Sequence, residues 1–403
     1  MHTKTIELIY FNAGGGHRAA AQALQAVLAQ QQRPWRVRSI NLVDVLDPLG
    51  SFQRLTGMAP EDLYNKRLAK GWTLGLAQEL KLLQGLIRMG HNTLVQRLQA
   101  HWLRSQPDMV VSLIPNFNRA LCCSLGAALP AVPFVTVLTD MADHPPHFWI
   151  EPDLPQHLVC GSARAVAQAL AAGCAPARIH HTSGMVLRPD FYAPLQQDRR
   201  AERARLGLHP DQPTGVVMFG GQGSMAMLTI ARQLPDVQLL LMCGHHSTLA
   251  HKLRALQPSA RHAVVGFTPQ VRQHLALGDF FIGKPGPGSL SEAVQQGLPV
   301  VTLRNAWTMP QERYNTDWVQ ATGVGLVGRS VRNIRPVVLD LMGRLASFQA
   351  SVQQVHNRAV FEVPDILASI LAGGERTLGS AVAIRPPAPA ATGGATQPAS
   401  LVG

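Results

Sequence analysis

Short apolar runs alternate with helix-compatible stretches along most of the chain, and this alternation constrains the fold more than any other feature. In the first half the runs are residues 6–11, 37–42, 109–114, 134–138 and 157–160. In the second half they are residues 215–219, 237–242, 262–265, 280–282, 300–303 and 324–327. Strands that are separated by helices pair in parallel as βαβ units. The sequence therefore predicts two successive α/β domains.

The length and composition are sufficient for two such domains. With 403 residues, 46% of them apolar, the chain can bury a sizeable core. A proline-punctuated hinge at 184–191 divides residues 1–190 from residues 191–350. Residues 351–373 are predicted to be helical, with an interruption at Pro364, and to pack back across the junction. The remaining residues, 374–403, are largely Ala, Gly, Pro and Thr, so we expect a disordered tail.

The location is predicted from two absences. No run approaches the roughly 18 to 20 apolar residues that span a bilayer, and the chain opens on a strand instead of a signal peptide. Both indicate a cytosolic protein. The five cysteines contain no Cys-x-x-Cys pair, so we expect reduced thiols and neither a disulfide framework nor a zinc site.

The formal net charge of +12 favours an anionic partner or substrate. Residues 51–105 carry 8 basic and 3 acidic side chains, interleaved with leucines and tryptophans. Such a mixture is typical of an amphipathic surface that lies on anionic lipid, and it is equally compatible with an ordinary solvated helix pair. Nucleic acid fits less well, because aromatic residues are only 5% of the chain and no stacking platform is recognisable.

Three glycine-rich loops follow predicted strands, at residues 14–16, 220–223 and 283–288. Glycine lets the backbone turn tightly, and the free N–H groups at the start of the next helix bind anions. One such loop is weak evidence, since tight connections use glycine for steric reasons alone. Three loops divided between two domains indicate a cleft that holds a diphosphate.

Several side chains near these loops have two readings. Ser289 and Glu292 have the spacing of a capping box, in which the glutamate only bonds a backbone N–H, but Glu292 could instead meet a ligand. His17 could accept a proton from a hydroxyl or merely bond the loop backbone. Gln311 and Glu312 offer adjacent acceptors for a hydroxyl-rich ligand, or they start a solvated helix.

Asp140 follows the predicted strand 134–138 and should face the same crevice as His17, as a base or an orienting group. A metal cluster of Asp140, Asp143, His144 and His147 is conceivable, but Pro145 and Pro146 prevent the helical spacing of specific metal motifs. A nicotinamide cofactor is disfavoured because the first loop lacks the Gly-x-Gly-x-x-Gly spacing.

Together, these motifs resemble a known enzyme family. The matching segments, in order, are Gly14-Gly15-Gly16-His17, Thr139-Asp140 with His144-Pro145, the hinge at 184–191, Gly286-Pro287-Gly288-Ser289 with Glu292, and Gln311-Glu312 with Asn315. They resemble the monogalactosyldiacylglycerol synthases and processive diacylglycerol glucosyltransferases, which are related to the MurG glycosyltransferases. The resemblance covers about residues 6–328 and is most specific in the second domain.

The resemblance implies a glycosyltransferase B-type fold, that is, two Rossmann-like domains that face a cleft. The first domain would bind the acceptor and an anionic membrane surface, and the second a UDP-sugar. The implied reaction is an inverting transfer of a hexose to a lipid hydroxyl, such as that of diacylglycerol, at the cytosolic membrane face. The UDP-sugar is the donor substrate, and neither a cofactor nor a metal is implied, since the chain has no Asp-x-Asp.

Site roles are also implied by the resemblance. Asp140 would be the catalytic base, and His17 would contact the acceptor or the diphosphate. Glu292 would bind the ribose, and Gln311 with Glu312 the hexose. The remaining implied donor-site residues are Gly15, Gly16, Gly221, Gly223, Ser224, Gly286, Gly288 and Ser289.

The chain departs from the family pattern at two places, and two alternative functions stay open. Pro310 and Tyr314 stand where relatives have glycine around the Gln-Glu pair, so the donor sugar is not predicted. Met185 to Leu187 differ from the usual hinge sequence, although Arg188 and Pro189 are kept. The alternatives are a UDP-N-acetylglucosamine 2-epimerase and a non-catalytic, nucleotide-binding peripheral membrane protein.

Overall fold

The structure, a computed structural model, describes residues 3–12, 16–47, 76–257 and 259–373. It contains two six-stranded sheets with all-parallel pairing, one in each half of the chain. The first has strand order β2-β1-β3-β4-β5-β6 and the second β12-β11-β10-β7-β8-β9. The predicted α/β class with two Rossmann-like sheets is confirmed.

The strands are short and mostly buried. In the first sheet they are β1 (Lys4–Tyr10), β2 (Trp35–Asn41), β3 (Met109–Ser112), β4 (Phe134–Val137), β5 (Gln156–Cys160) and β6 (Ile179–His181). In the second they are β7 (Thr214–Met218), β8 (Gln238–Met242), β9 (His262–Val265), β10 (Phe280–Gly283), β11 (Val300–Leu303) and β12 (Gly325–Gly328). Helices cover both faces of each sheet, which explains why the strands read as continuous apolar runs.

Helices connect the strands. In the first half they are α1 (Gly16–Gln30), α2 (Leu42–Leu46), α3 (Leu76–Met89), α4 (His91–Ser105), α5 (Asn118–Ala128) and α6 (Ala163–Ala171). In the second half they are α7 (Arg199–Arg205), α8 (Ala226–Gln233), α9 (Ser247–Arg254), α10 (Val271–Leu275), α11 (Pro287–Gln295), α12 (Arg313–Ala321), α13 (Ile334–Gly343), α14 (Leu345–Gln353) and α15 (Ala359–Leu371). Short 3₁₀ turns lie at Pro176–Arg178, Pro189–Tyr192, Pro310–Glu312 and Val331–Asn333.

Each sheet reverses its direction of growth between two central strands. The chain adds β2 on one side of β1 and β3 on the other, and it adds β8 on one side of β7 and β10 on the other. Crevices form at the carboxyl ends of strands at such switch points, and ligands of open α/β sheets bind there. The loops after β1, β7 and β10 are therefore the expected binding loops.

The last helices connect the two halves. The predicted interruption at Pro364 is wrong, because α15 continues through this proline. The break in helical structure lies earlier, between the end of α14 and the start of α15. Apolar side chains of α15, including Val360, pack into the core of the first sheet. Glu362 accepts hydrogen bonds from the backbone N–H of Ser183 (2.8 Å) and from its hydroxyl (2.7 Å), next to the hinge.

Some sequence predictions fall outside the described residues. These are Gly15, the part of the basic segment at 51–75, and the tail at 374–403. Within the described ranges, no helix is both long and apolar enough to cross a membrane.

Candidate functional site

Asp140 lies three residues after the last residue of β4, beyond the carboxyl end of that strand, and only 8% of it is exposed. Its Oδ2 accepts a hydrogen bond from Nε1 of the buried Trp149 (2.9 Å). Burial raises the pKa of Asp140 to about 7, the Trp149 hydrogen bond opposes this rise, and charges on Glu312 and Lys284 act in opposite directions. Since Glu312 and Lys284 belong to the second half of the chain, charges from both halves act on the carboxyl group of Asp140.

His17 stands in the first turn of α1, immediately after the glycine loop that follows β1. Its Nδ1 lies 3.0 Å from Oγ1 of Thr139, the residue before Asp140. Its ring lies against Trp149, with the two centroids 5.9 Å apart. Burial lowers the pKa of His17 to about 4, although a hydrogen bond to the Leu113 backbone opposes the change. The imidazole is therefore neutral at neutral pH, and it shares Trp149 as a neighbour with Asp140.

Asp143 holds the loop between β4 and β5 in place. Its carboxylate accepts from the backbone N–H groups of His147 (3.1 Å) and Trp149 (2.6 Å). These bonds fix the position of Trp149 and hence of the indole that meets Asp140.

Across the described residues, no group of three or more His, Cys, Asp or Glu side chains is arranged to hold a metal ion.

The loop after β7 packs tightly against the end of β8. Gly220 and Gly223 have φ values of +75° and +63°, a region that L side chains rarely adopt. A Cβ added at Gly223 would lie 2.4 Å from the carbonyl oxygen of Cys243, and one added at Gly244 would lie 2.1 Å from that of Gly221. Ser224 then precedes α8, and its hydroxyl accepts from the N–H of Ala226 (3.2 Å). At Gly223 glycine is thus required by both conformation and space, and at Gly220 by conformation.

The loop after β10 leads into α11, which begins at Pro287 with Gly286 as its N-cap. Ser289 and Glu292 consequently lie inside the helix, and the cap has no side-chain hydrogen bond. The capping-box reading of this pair is wrong. Glu292 is half-buried, and burial raises its pKa to about 7, although the charge of Arg188 in the hinge pulls in the opposite direction. Its carboxyl group therefore has no capping role.

Gln311 and Glu312 follow β11 on a 3₁₀ turn and are both buried. Oε1 of Glu312 pairs with Nζ of Lys284 (2.8 Å). Oε1 of Gln311 is buried without a hydrogen-bond partner among the described residues. Such an orphaned acceptor is costly unless a ligand donates to it.

Asn315 couples the two loops of this region. It is fully buried on α12, and its Nδ2 donates to the carbonyl of Pro285 (2.7 Å). This bond fixes the loop that leads into α11 relative to the Gln311-Glu312 turn.

Sequence reasoning missed several members of this site. By sequence Lys284 is only a member of the glycine loop at 283–288, whereas in the structure it pairs with Glu312. The sequence predicts no role for Trp149. Beside Gly221, His245 stacks on Phe267 with centroids 3.9 Å apart, and Phe267 is 60% exposed. These contacts join residues that are distant in sequence. Lys284, His245 and Phe267 each follow a strand, which is the one sequence signal that points to them, whereas no local pattern marks Trp149.

The two parallel six-stranded sheets with their alternating helices form the glycosyltransferase B-type fold. MurG from Acinetobacter baumannii shares this fold with a TM-score of 0.59 and 13% identity, over 91% of this chain and 99% of that structure. HepE from Anabaena, solved in complex with UDP-glucose, aligns with a TM-score of 0.51 and 14% identity, over 92% of this chain and all of that one.

In sequence, the chain is similar to monogalactosyldiacylglycerol synthases, which confirms the resemblance predicted from its motifs. It is 27% identical over 372 residues to a probable chloroplastic monogalactosyldiacylglycerol synthase from Glycine max. It is 26% identical, again over 372 residues, to the chloroplastic monogalactosyldiacylglycerol synthase 1 from Arabidopsis thaliana. Each match covers 84% of this chain and 65% of the relative, so the chain spans less than two thirds of the length of these relatives. No family model matches it.

Proposed function

We propose that the protein is an inverting glycosyltransferase that transfers a hexose from a UDP-sugar to a lipid hydroxyl such as that of diacylglycerol. The observation that carries this proposal is the buried carboxyl group of Asp140, which is bound to Trp149 and is influenced by the charges of Glu312 and Lys284 from the other half of the chain. The similarity to galactolipid synthases and the UDP-glucose complex of a protein with the same fold support the acceptor and donor classes.

In the proposed reaction, Asp140 removes the proton of the acceptor hydroxyl while the hydroxyl oxygen attacks the anomeric carbon of the donor hexose. The bond between that carbon and the diphosphate breaks, and UDP leaves. A general base is most effective when its pKa is near the working pH, and burial brings the pKa of Asp140 to about 7. Burial lowers the pKa of His17 to about 4, which makes it the weaker base and suits it to a hydrogen-bonding role.

The leaving diphosphate would be held by backbone N–H groups at the starts of α8 and α11. Helix N-termini stabilise anions through free N–H groups and the helix dipole. An added Cβ at Gly221 or Gly288 would have nothing within 4 Å, which leaves room for a ligand near these helix ends. In this proposal Glu292 binds the ribose, Gln311 and Glu312 bind the hexose, and the His245–Phe267 stack lies beside the nucleobase.

The proposed membrane-facing surface lies on α3. Leu82, Leu83, Leu86 and Met89 are 65%, 43%, 56% and 86% exposed, and the helix ends with Arg88 in its last turn. Apolar side chains on a helix with basic neighbours are typical of segments that lie in a lipid headgroup region. Peripheral binding at the cytosolic membrane face would bring the diacylglycerol hydroxyl to the cleft.

The proposal is tested with vesicles that contain diacylglycerol and with a panel of UDP-hexoses. We expect glycolipid formation together with UDP release, and a loss of about 10²- to 10⁴-fold for Asp140→Asn with donor binding preserved. Isomerisation of the sugar nucleotide without any acceptor would instead indicate the epimerase. UDP binding without turnover, unaffected by Asp140→Asn, would indicate a non-catalytic nucleotide-binding protein.

A further inference from the structure

Lys284 and Glu312 form an ion pair inside the cleft. Nζ of Lys284 lies 2.8 Å from Oε1 of Glu312, and the Glu312 side chain is only 6% exposed, whereas that of Lys284 is 36% exposed. The lysine side chain therefore reaches solvent in the cleft, while its partner is almost enclosed. The ammonium group can change partner more easily than the carboxylate can.

The side chain of Lys284 lies beside two glycine loops. A Cβ added at Gly220 would lie 3.9 Å from Cε of Lys284. A Cβ added at Gly286, the N-cap of α11, would lie 3.4 Å from the same atom and 3.5 Å from Oε1 of Glu312. The ion pair thus occupies the place where the loops after β7 and β10 approach each other.

A diphosphate that binds at these loops would alter the pair. Its negative charge exceeds that of one carboxylate, and lysine ammonium groups bind phosphate oxygens strongly. Glu312 would then be a buried carboxylate that has lost its partner, which is costly unless other donors replace it. The hydroxyl groups of the hexose that is bonded to the same diphosphate would supply such donors.

We propose that Lys284 exchanges Glu312 for the diphosphate of the donor, and that this exchange frees Glu312 to accept hydrogen bonds from the transferred hexose. This inference rests on the proposed function and deepens it. Recognition of the sugar is thereby coupled to binding of the diphosphate, because Glu312 is occupied until the phosphates arrive. UDP alone must separate the ion pair without recovering hexose contacts.

The two sides of the pair should therefore affect UDP binding in opposite directions. Lys284→Met removes a charged contact and should weaken UDP binding by about tenfold or more, with no change for uridine, which has no phosphate. Glu312→Gln removes the carboxylate that competes with the diphosphate for Lys284, so it should tighten UDP binding several-fold. The same variant should lose the added affinity that the hexose gives a UDP-hexose over UDP.

The experiment is a calorimetric titration of the full chain and its variants with UDP, uridine and UDP-hexoses. Lys252→Met is the matched control, since Lys252 is exposed on α9. Asp340→Asn is the second control, because Asp340 pairs with Arg344 on the exposed surface (2.6 Å). Neither control should change the affinity for UDP, and thermal unfolding would show that each variant is folded.

An unchanged UDP affinity in Lys284→Met, or weakening by both substitutions, would overturn the exchange and leave the pair as a structural brace. None of these titrations requires turnover. Opposite shifts in UDP affinity would therefore support the exchange even if no glycolipid formed, and glycolipid formation with unshifted affinities would remove only the exchange. Failure of the native chain to bind UDP would contradict both proposals.

Discussion

The proposed chemistry depends on one residue more than on any other, the carboxyl group of Asp140. It is buried after β4, its pKa is raised to about 7, and its hydrogen bond to Trp149 limits that rise. The base must be ionised to accept a proton. We therefore expect the logarithm of kcat, measured at saturating donor, to fall by one for each pH unit below about 7.

Replacement of Trp149 by phenylalanine tests this assignment. Nε1 of Trp149 donates to the Asp140 carboxylate and so stabilises its charged form. Trp149→Phe should raise the pKa of Asp140, and the acidic limb of the kcat profile should move to higher pH. A lower kcat with an unmoved limb would mean that another group titrates. Trp318→Phe, on α12, controls for the loss of an indole at a position without this bond.

At this scale, sequence reasoning could place individual residues but not their partners. The sequence predicts that Asp140 and His17 lie at one crevice because each follows a strand, and in the structure both contact Trp149. The indole comes from a loop whose path depends on Asp143, and the Lys284–Glu312 pair joins different connections. Such contacts are set by tertiary packing, and no local pattern records them.

Among the connecting elements, the loop after β7 is the most constrained. Gly223 has φ of +63°, and a Cβ there would lie 2.4 Å from a backbone carbonyl oxygen, which cannot move as a side chain would. Gly223→Ala should therefore lower the free energy of unfolding by more than the roughly 1 to 2 kcal/mol of a left-handed alanine alone. It should also weaken UDP binding, since the loop must shift.

Gly207→Ala is the control for this substitution. Gly207 has φ of +79°, but nothing lies within 4 Å of an added Cβ. Urea denaturation of both variants separates the cost of conformation from that of the clash. Equal losses of unfolding free energy, with UDP affinity unchanged in Gly223→Ala, would argue against a tightly packed donor loop.

Elements were predicted well where burial gives a continuous apolar run. The runs at 262–265 and 300–303 coincide with β9 and β11. The strand β6, Ile179–His181, was missed because two of its three residues are histidines and the strand forms the edge of the sheet. The helix boundary near Pro364 was misplaced, since a proline inside a helix usually interrupts it, yet α15 continues and keeps its packing on the first sheet.

For the whole molecule, the proposed membrane contact is a surface property. Leu86 and Met89 are exposed by 56% and 86% on α3. Replacing both with glutamate removes apolar area and adds negative charge, so binding to vesicles that contain anionic lipid should fall at least tenfold. Sedimentation with vesicles measures this.

Leu339→Glu, on α13 of the second half, is the control for the membrane variant, because Leu339 is 42% exposed far along the chain from α3. If that variant lost vesicle binding to the same extent, α3 would not be the contact surface.

The two-domain architecture itself was predictable, because strand and helix alternation fixes parallel sheets. The exposed face of α3 was not, because its sequence is equally compatible with a buried helix stripe.

The proposed function requires that the cleft transfer a hexose from a UDP-sugar to a lipid through Asp140. Mass spectrometry of lipids from cells that express the protein, compared with cells that express Asp140→Asn at the same level, tests it most directly. We expect a hexosyl-diacylglycerol that is present with the native chain and absent, or reduced at least a hundredfold, with the variant. No new hexosylated lipid with the native chain, or equal amounts with both chains, would contradict it.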